Sequence, residues 1–221
     1  MKSLLNSKKE LIVLEIANNH QGDLEHGKNI ISEFNNITQK FKDHFDFSIK
    51  FQYRDLKTFI HPKMVTSDIK YVKRFLSTQL SEDDFLNLKN FAISKNFITM
   101  CTPFDEISVN KVIDHNYDIL KIASASITDW PLIEEISKHK NQTIIASVGG
   151  ASLNEITRFY SYMKNRNIDF ALNYCVSLYP TKPSQLNLAY INVLKSNFPD
   201  TRIGFSTHEG PETLETAGLA L

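Results

Sequence analysis

The 221-residue chain has only two cysteines, Cys101 and Cys175. Two thiols make a disulfide framework a poor expectation and suit a reducing, cytoplasmic setting. Both follow apolar, strand-like segments and read as small core residues. Neither sign of charge is in excess, with Lys+Arg and Asp+Glu each 25 and a pI of about 7.1. That balance predicts neither a nucleic-acid nor an acidic-membrane partner. The longest apolar runs are strand-length, so no transmembrane helix is expected, and the first ten residues lack the apolar core of a secretion signal. No Gly/Ser linker or charge run splits the chain, and no Gly-x-Gly-x-x-Gly follows the first strand-like run.

What is present is alternation. Strands are expected at Leu11–Ala17, Phe47–Gln52, Phe97–Cys101, Tyr117–Ile122, Thr143–Ser147, Phe170–Cys175 and Arg202–Phe205. Helices are expected between them. Asp23 caps one that runs to about Lys40, Ser81 opens another, and Asp105 caps a third that runs to about Asn116. Thr128 or Asp129 starts a fourth, with Pro131 in its first turn, and Ser152-Leu153-Asn154-Glu155 is a capping box. Further helices are expected from about Ser184 to Asn197 and from Glu212 to Leu221. A polar loop of about 25 residues after the second strand is long enough to suggest function. Seven units of about 25–35 residues favour an eight-fold β/α (TIM) barrel, whose typical length is about 250 residues. A doubly wound open sheet is the alternative, but its glycine fingerprint is missing. The expectation is one α/β barrel domain over residues 1–221, incomplete by its eighth strand.

In such a barrel the last inward residues of each strand share one mouth. Here these are Glu15, Lys50 with Gln52, Thr102, Lys121 with Ser124, Ser147, Tyr179, and Ser206 with His208. Lysines inside strands need anions. Lys50 and Lys121 can find them either in carboxylates such as Glu15 or in the phosphate and carboxylate of a ligand. The hydroxyls and the backbone amides of Ser147-Val148-Gly149-Gly150 favour a phosphorylated, acidic ligand. His20 reads equally as support for the site or for its loop, whereas His26, His44, His61, His115 and His139 read as solvated. Phe104 and Trp130 read as packing beneath the rim.

These residues resemble a known family. Glu15-Ile16-Ala17-Asn18-Asn19-His20-Gln21-Gly22-Asp23, Lys50-Phe51-Gln52, Thr102-Pro103-Phe104-Asp105, Lys121-Ile122-Ala123-Ser124, Ser147-Val148-Gly149-Gly150, Tyr179-Pro180 and Ser206-Thr207-His208 stand in the order seen in N-acetylneuraminate (sialic acid) synthases. The resemblance covers Leu11 to Leu221. It implies condensation of phosphoenolpyruvate with an open-chain 2-acetamido sugar such as N-acetylmannosamine, giving a nine-carbon 2-keto acid and phosphate. It further implies a divalent ion, Mn²⁺ or Mg²⁺, with His208 as a ligand. Lys50, Lys121, Gln52, Thr102, Ser124, Ser147 and Ser206 would hold phosphoenolpyruvate, and Glu15 would sit beside the reacting carbons. Tyr179, Ser177 and Ser126 would line the sugar side, and the full-length protein would be a homodimer.

Three departures bear on the transfer. Ser126 stands where the family usually has an acidic residue, which puts the identity of the sugar in question. Thr207 replaces the usual Asp before the metal histidine. The chain also stops before an eighth strand, a second metal histidine and the C-terminal antifreeze-like domain. A barrel without its eighth strand exposes the edges of its first and seventh strands, so the 221-residue chain alone is expected to be aggregation-prone and inactive. The rival readings are a non-catalytic sugar- or phosphoenolpyruvate-binding relative and a barrel condensing phosphoenolpyruvate with an aldose phosphate.

Overall fold

The computed structural model describes residues 8–210 together with 218 and 219. Seven strands alternate with helices: β1 (Glu10–Glu15), β2 (Phe45–Tyr53), β3 (Ile98–Pro103), β4 (Ile119–Ile122), β5 (Thr143–Ser147), β6 (Phe170–Tyr174) and β7 (Arg202–Phe205). They are hydrogen-bonded in chain order, and every pair with a defined register is parallel. This is the parallel α/β, barrel-type succession expected from the sequence, with seven strands among the described residues. The helix expected over Glu212–Leu221 lies outside the described residues, apart from 218 and 219.

The chain divides into two compact units, one within Ser7–Leu120 and one from Lys121 onward. In the first, α1 (Leu24–Thr38) begins where the Asp23 carboxylate accepts the N–H of His26. Ser81 caps α4 (Glu82–Ser94) and Asp105 caps α5 (Glu106–Asp114) in the same way, satisfying amide donors that the first helical turn leaves unpaired. Ile31 of α1 and Leu88 and Ala92 of α4 are fully buried, as are Val109 and Val112 of α5 and Ile49 and Phe51 of β2. Fully burying a side chain of this size contributes about 1.5–3 kcal/mol.

The polar loop expected after the second strand is not wholly loop. The connection after β2 contains two helices, α2 (Leu56–Phe59) and α3 (Lys70–Ser77), with a 3₁₀ turn at Pro62–Met64 between them. It reads as loop in sequence because its helices are short and polar.

In the second unit, Asp129 caps α6 (Trp130–Ser137), and the Ser152/Glu155 capping box opens α7 (Leu153–Lys164) as expected. The helix expected from Ser184 is shorter: a 3₁₀ turn at Pro183–Gln185 precedes α8 (Tyr190–Asn197). Leu132, Ile133 and Ile136 of α6, Ile156, Phe159 and Met163 of α7, and Ile144 and Leu172 of the strands form the core. Phe159 is wholly buried and edge-on to Phe170 at 5.6 Å, and its truncation to Ala would cost about 3–5 kcal/mol.

Candidate active site

Strand period two sorts the polar residues of the first unit. Ile49, Phe51 and Tyr53 are buried, and Phe51 and Tyr53 meet the rings of Tyr117 and Phe85, so Lys50 and Gln52 project from the opposite face of β2. Glu15 is the register partner of Lys50, and Thr102 is the register partner of Gln52. The four expected residues thus lie together at the carboxyl ends of β1, β2 and β3.

Lys50 Nζ is ion-paired with Glu15, whose other oxygen accepts the N–H of Ala17 at 2.9 Å. Of the two anion sources open to Lys50 in the sequence, the protein's own carboxylate is therefore already in place. Thr102 is 2% exposed, and its buried hydroxyl has no hydrogen-bond partner among the described residues. Behind this face, burial pushes the Cys101 thiol well above its ordinary pKa, as a core residue requires.

Arg54, absent from the sequence reading, follows β2 directly. Its Nη2 donates to Gln52 Oε1 at 2.7 Å, and its guanidinium lies 3.9 Å from the ring centroid of Phe104 and 4.5 Å from that of Phe75. Phe104 thus packs beneath a charged group. Burial lowers the Arg54 pKa to about 10, against the opposing pull of Glu15 and Asp105, so it stays cationic at neutral pH. The signal was available, because Arg54 shares the parity of Lys50 and Gln52. Asp105 has a second role besides its cap: it accepts the N–H of Asp55 at 2.8 Å, tying the segment after β2 to the start of α5.

A cavity of about 210 Å³ in the same unit is lined by Gln52, Arg54, Asn18, His20, Phe75 and Phe85, among others. His20 is 1% exposed; its Nδ1 accepts the N–H of Gly22, and burial lowers its pKa to about 4, helped by His26. It therefore holds the turn after β1 as a neutral ring. His115 is not the solvated residue expected from the sequence. Its Nδ1 meets Tyr53 Oη at 3.0 Å and its Nε2 meets Glu82 at 3.3 Å, while Tyr53 Oη also bonds Tyr117 Oη at 2.9 Å. Sequence spacing could not bring together residues so far apart in the chain.

In the second unit, Lys121 is 5% exposed and its Nζ donates to Ser147 Oγ and to the Ile122 carbonyl, each at 2.6 Å. Ser124 Oγ lies 3.0 Å from Cys175 Sγ. Gly149 fits closely here: a Cβ on it would stand 2.5 Å from Ser177 Oγ and 2.6 Å from Cys175 Sγ. Ser126 is buried in the turn after β4, and its N–H donates to the Ala123 carbonyl. Ser206 follows β7 and is anchored by its N–H to the Tyr174 carbonyl at 2.8 Å. Asn173, also missed in the sequence, is the register partner of both Ser147 and Gly204, and its Oδ1 occupies the space a side chain at 204 would need.

His208 Nδ1 lies 2.7 Å from the Val176 carbonyl, and its ring meets that of Tyr179 at 4.2 Å. A carbonyl only accepts, so Nδ1 carries the proton and Nε2 presents a lone pair. That is the tautomer of a metal-binding histidine whose other nitrogen is tethered. Among the described residues no group of three His, Cys, Asp or Glu side chains is placed to hold a metal. His208 thus fits as one ligand of an ion, and the described residues do not complete a set.

The NeuB family pattern matches residues 42–221. The chain belongs to the NeuB family. Human N-acetylneuraminate-9-phosphate synthase is 28% identical over 95% of this chain and 58% of its own length. The N,N'-diacetyllegionaminic acid synthase of Campylobacter jejuni is 29% identical over 97% of this chain and 65% of its own. Among solved structures, a Chromobacterium violaceum protein provisionally assigned as spore coat polysaccharide biosynthesis protein E superposes with TM-score 0.92 at 42% identity, covering 96% of this chain and 62% of that one. The N-acetylneuraminic acid synthetase of Leptospira borgpetersenii, in complex with citrate, gives 0.83 at 30% identity over 96% and 69%. A truncated 3-deoxy-D-arabino-heptulosonate 7-phosphate synthase from Thermotoga maritima, at 12% identity and TM-score 0.57 over 85% and 59%, shares the fold alone. This chain spans about three fifths of the length of these curated relatives.

Proposed function

We propose that the protein condenses phosphoenolpyruvate with an open-chain 2-acetamido sugar to give a nine-carbon 2-keto sugar acid and inorganic phosphate. The observation that carries this reading is Thr102. A buried hydroxyl with no partner among the described residues, in register with Gln52 at the carboxyl end of the sheet, is what an anionic ligand's oxygen would satisfy.

Lys50 and Lys121 would neutralise the phosphate and carboxylate, with Gln52, Thr102, Ser124, Ser147 and Ser206 donating hydrogen bonds to them. The Lys121–Ser147 bond fixes the ammonium before the ligand arrives. In the reaction, C3 of phosphoenolpyruvate bonds to the aldehyde carbon, water adds at C2, and the C2–O bond to phosphate breaks. Glu15, held by Lys50 and the Ala17 N–H, would stabilise charge or relay a proton beside those carbons. Tyr179, Ser177 and Ser126 would face the sugar. A divalent ion, Mn²⁺ or Mg²⁺, when bound by His208 Nε2 and further ligands, would polarise the sugar's carbonyl oxygen.

Homodimerisation and a cytoplasmic setting belong to the same reading. No helix among the described residues is long and apolar enough to cross a membrane.

The test is phosphate release by the full-length protein from phosphoenolpyruvate with a panel of 2-acetamido sugars and Mn²⁺ or Mg²⁺. Release that requires both sugar and metal, with a raised KM for phosphoenolpyruvate in Thr102→Val, is expected. No sugar-dependent release across the panel would overturn the reading.

A further inference from the structure

Gln52 has an amide that can present either face. A carboxamide rotated by 180° exchanges a carbonyl acceptor for two N–H donors, and the two forms have nearly the same shape. For a group meant to hold an anion the difference is decisive, because the donor face attracts and the carbonyl face repels. Something must select one.

Arg54 supplies that selection. The guanidinium has only donors, and its Nη2 lies 2.7 Å from the Gln52 side chain, so the atom facing it must be Oε1. Nε2 then points away from Arg54 and offers its protons elsewhere. The arginine is itself held: its plane lies over Phe104 at 3.9 Å, with Phe75 at 4.5 Å and Phe59 at 5.8 Å. Phe59 is also edge-on to Phe75 and Phe104, at 5.8 and 6.2 Å, so the three rings form one aromatic seat. Phe59 and Phe75 come from α2 and α3, which gives the long connection after β2 a physical task. Arg54 Nε is buried and has no hydrogen-bond partner among the described residues. Stacking, one bond to a neutral amide and the pull of the Glu15 and Asp105 carboxylates stand against the cost of burying this cation.

We propose that Arg54 is a positioning residue that locks Gln52 with its N–H₂ group outward, making it an obligate donor to the anionic substrate. This rests on the phosphoenolpyruvate reading for the identity of that anion, and on the Gln52–Arg54 geometry for the locking itself. Lysine cannot replace Arg54, since an ammonium has neither the plane to stack on Phe104 nor the fixed fork that reaches Gln52.

The experiment compares Arg54→Met, Arg54→Lys, Gln52→Met and the double variant Gln52→Met/Arg54→Met in steady-state kinetics of the full-length protein. Melting curves guard against global loss of structure. Arg54→Met is expected to raise KM for phosphoenolpyruvate about tenfold or more, with kcat falling less and the sugar KM unmoved. In the Gln52→Met background the same change should have almost no further effect. Equal losses in both backgrounds would overturn the proposal, because Arg54 would then act without Gln52. A ligand-free readout separates this inference from the reading beneath it. The Gln52 side-chain amide pair in a ¹⁵N–¹H spectrum, assigned by its loss in Gln52→Met, should shift in Arg54→Lys. Failure of the full-length parent to release phosphate defeats the synthase reading. Amide signals that Arg54→Lys leaves in place defeat the positioning role, whichever way the first result falls.

Discussion

His208 donates its Nδ1 proton to the Val176 carbonyl across 2.7 Å, which leaves Nε2 as the ring's only open coordination site. Replacing His208 by Ala should abolish metal-stimulated phosphate release, and calorimetric titration with Mn²⁺ should show weakened binding. The melting temperature should move little, since the ring is half-buried and the losses are one hydrogen bond to backbone and the contact with the exposed Tyr179 ring. Metal stimulation that survives His208→Ala would remove this residue from the ligand set.

His20 should make stability depend on pH. Its folded pKa is about 4, against 6.5 for the free side chain, so below pH 6.5 the unfolded chain binds a proton that the folded chain refuses. Stability is therefore full above that value and falls as pH drops from 6.5 towards 4, by at most about 3 kcal/mol. Asn at this position can still accept the Gly22 N–H but does not titrate. Denaturant melts at pH 7 and pH 4.5 should give a smaller difference for His20→Asn than for the parent, and equal differences would refute the assignment.

Gly149→Ala should be disruptive out of proportion to one methyl group. The new Cβ would lie 2.5 Å from Ser177 Oγ, 2.6 Å from Cys175 Sγ and 3.0 Å from the Cys175 carbonyl, a backbone atom that cannot swing aside. A cost of about 1–3 kcal/mol is expected, together with a raised KM for the sugar as Ser177 is pushed away. A variant with parental melting temperature and sugar KM would show that this close approach has no consequence.

Tyr53→Phe tests the network in the first unit. The lost hydroxyl serves His115 Nδ1 and Tyr117 Oη together, and burial has already driven the Tyr53 pKa far above its ordinary value. Destabilisation of about 1–3 kcal/mol is expected by chemical denaturation. A neutral result would mean that water replaces the hydroxyl at no cost.

Much of this was legible in the sequence because it is local. Asp23, Ser81, Asp105 and Ser152 each announce a helix within a few residues and their caps form as read, while of the two candidates Thr128 and Asp129 it is Asp129 that caps. Strand parity was enough to put Glu15, Lys50, Gln52 and Thr102 on neighbouring strand ends. What escaped depends on partners far away in the chain. His115 sits in an ordinary polar helix terminus, and nothing near it signals Tyr53, 62 residues earlier. Arg54 looks like the first residue of a polar loop until Phe59, Phe75 and Phe104 converge on it. The helices α2 and α3 escaped because four and eight residues carry too little periodicity to separate from loop.

The two cysteines fall one to each compact unit, Cys101 in the first and Cys175 in the second, and both are buried. A thiol out of reach of solvent reacts with an alkylating reagent only when the structure around it opens. The chain therefore carries a built-in reporter in each half, and the two alkylation rates, resolved by peptide mass, would time the opening of each unit separately.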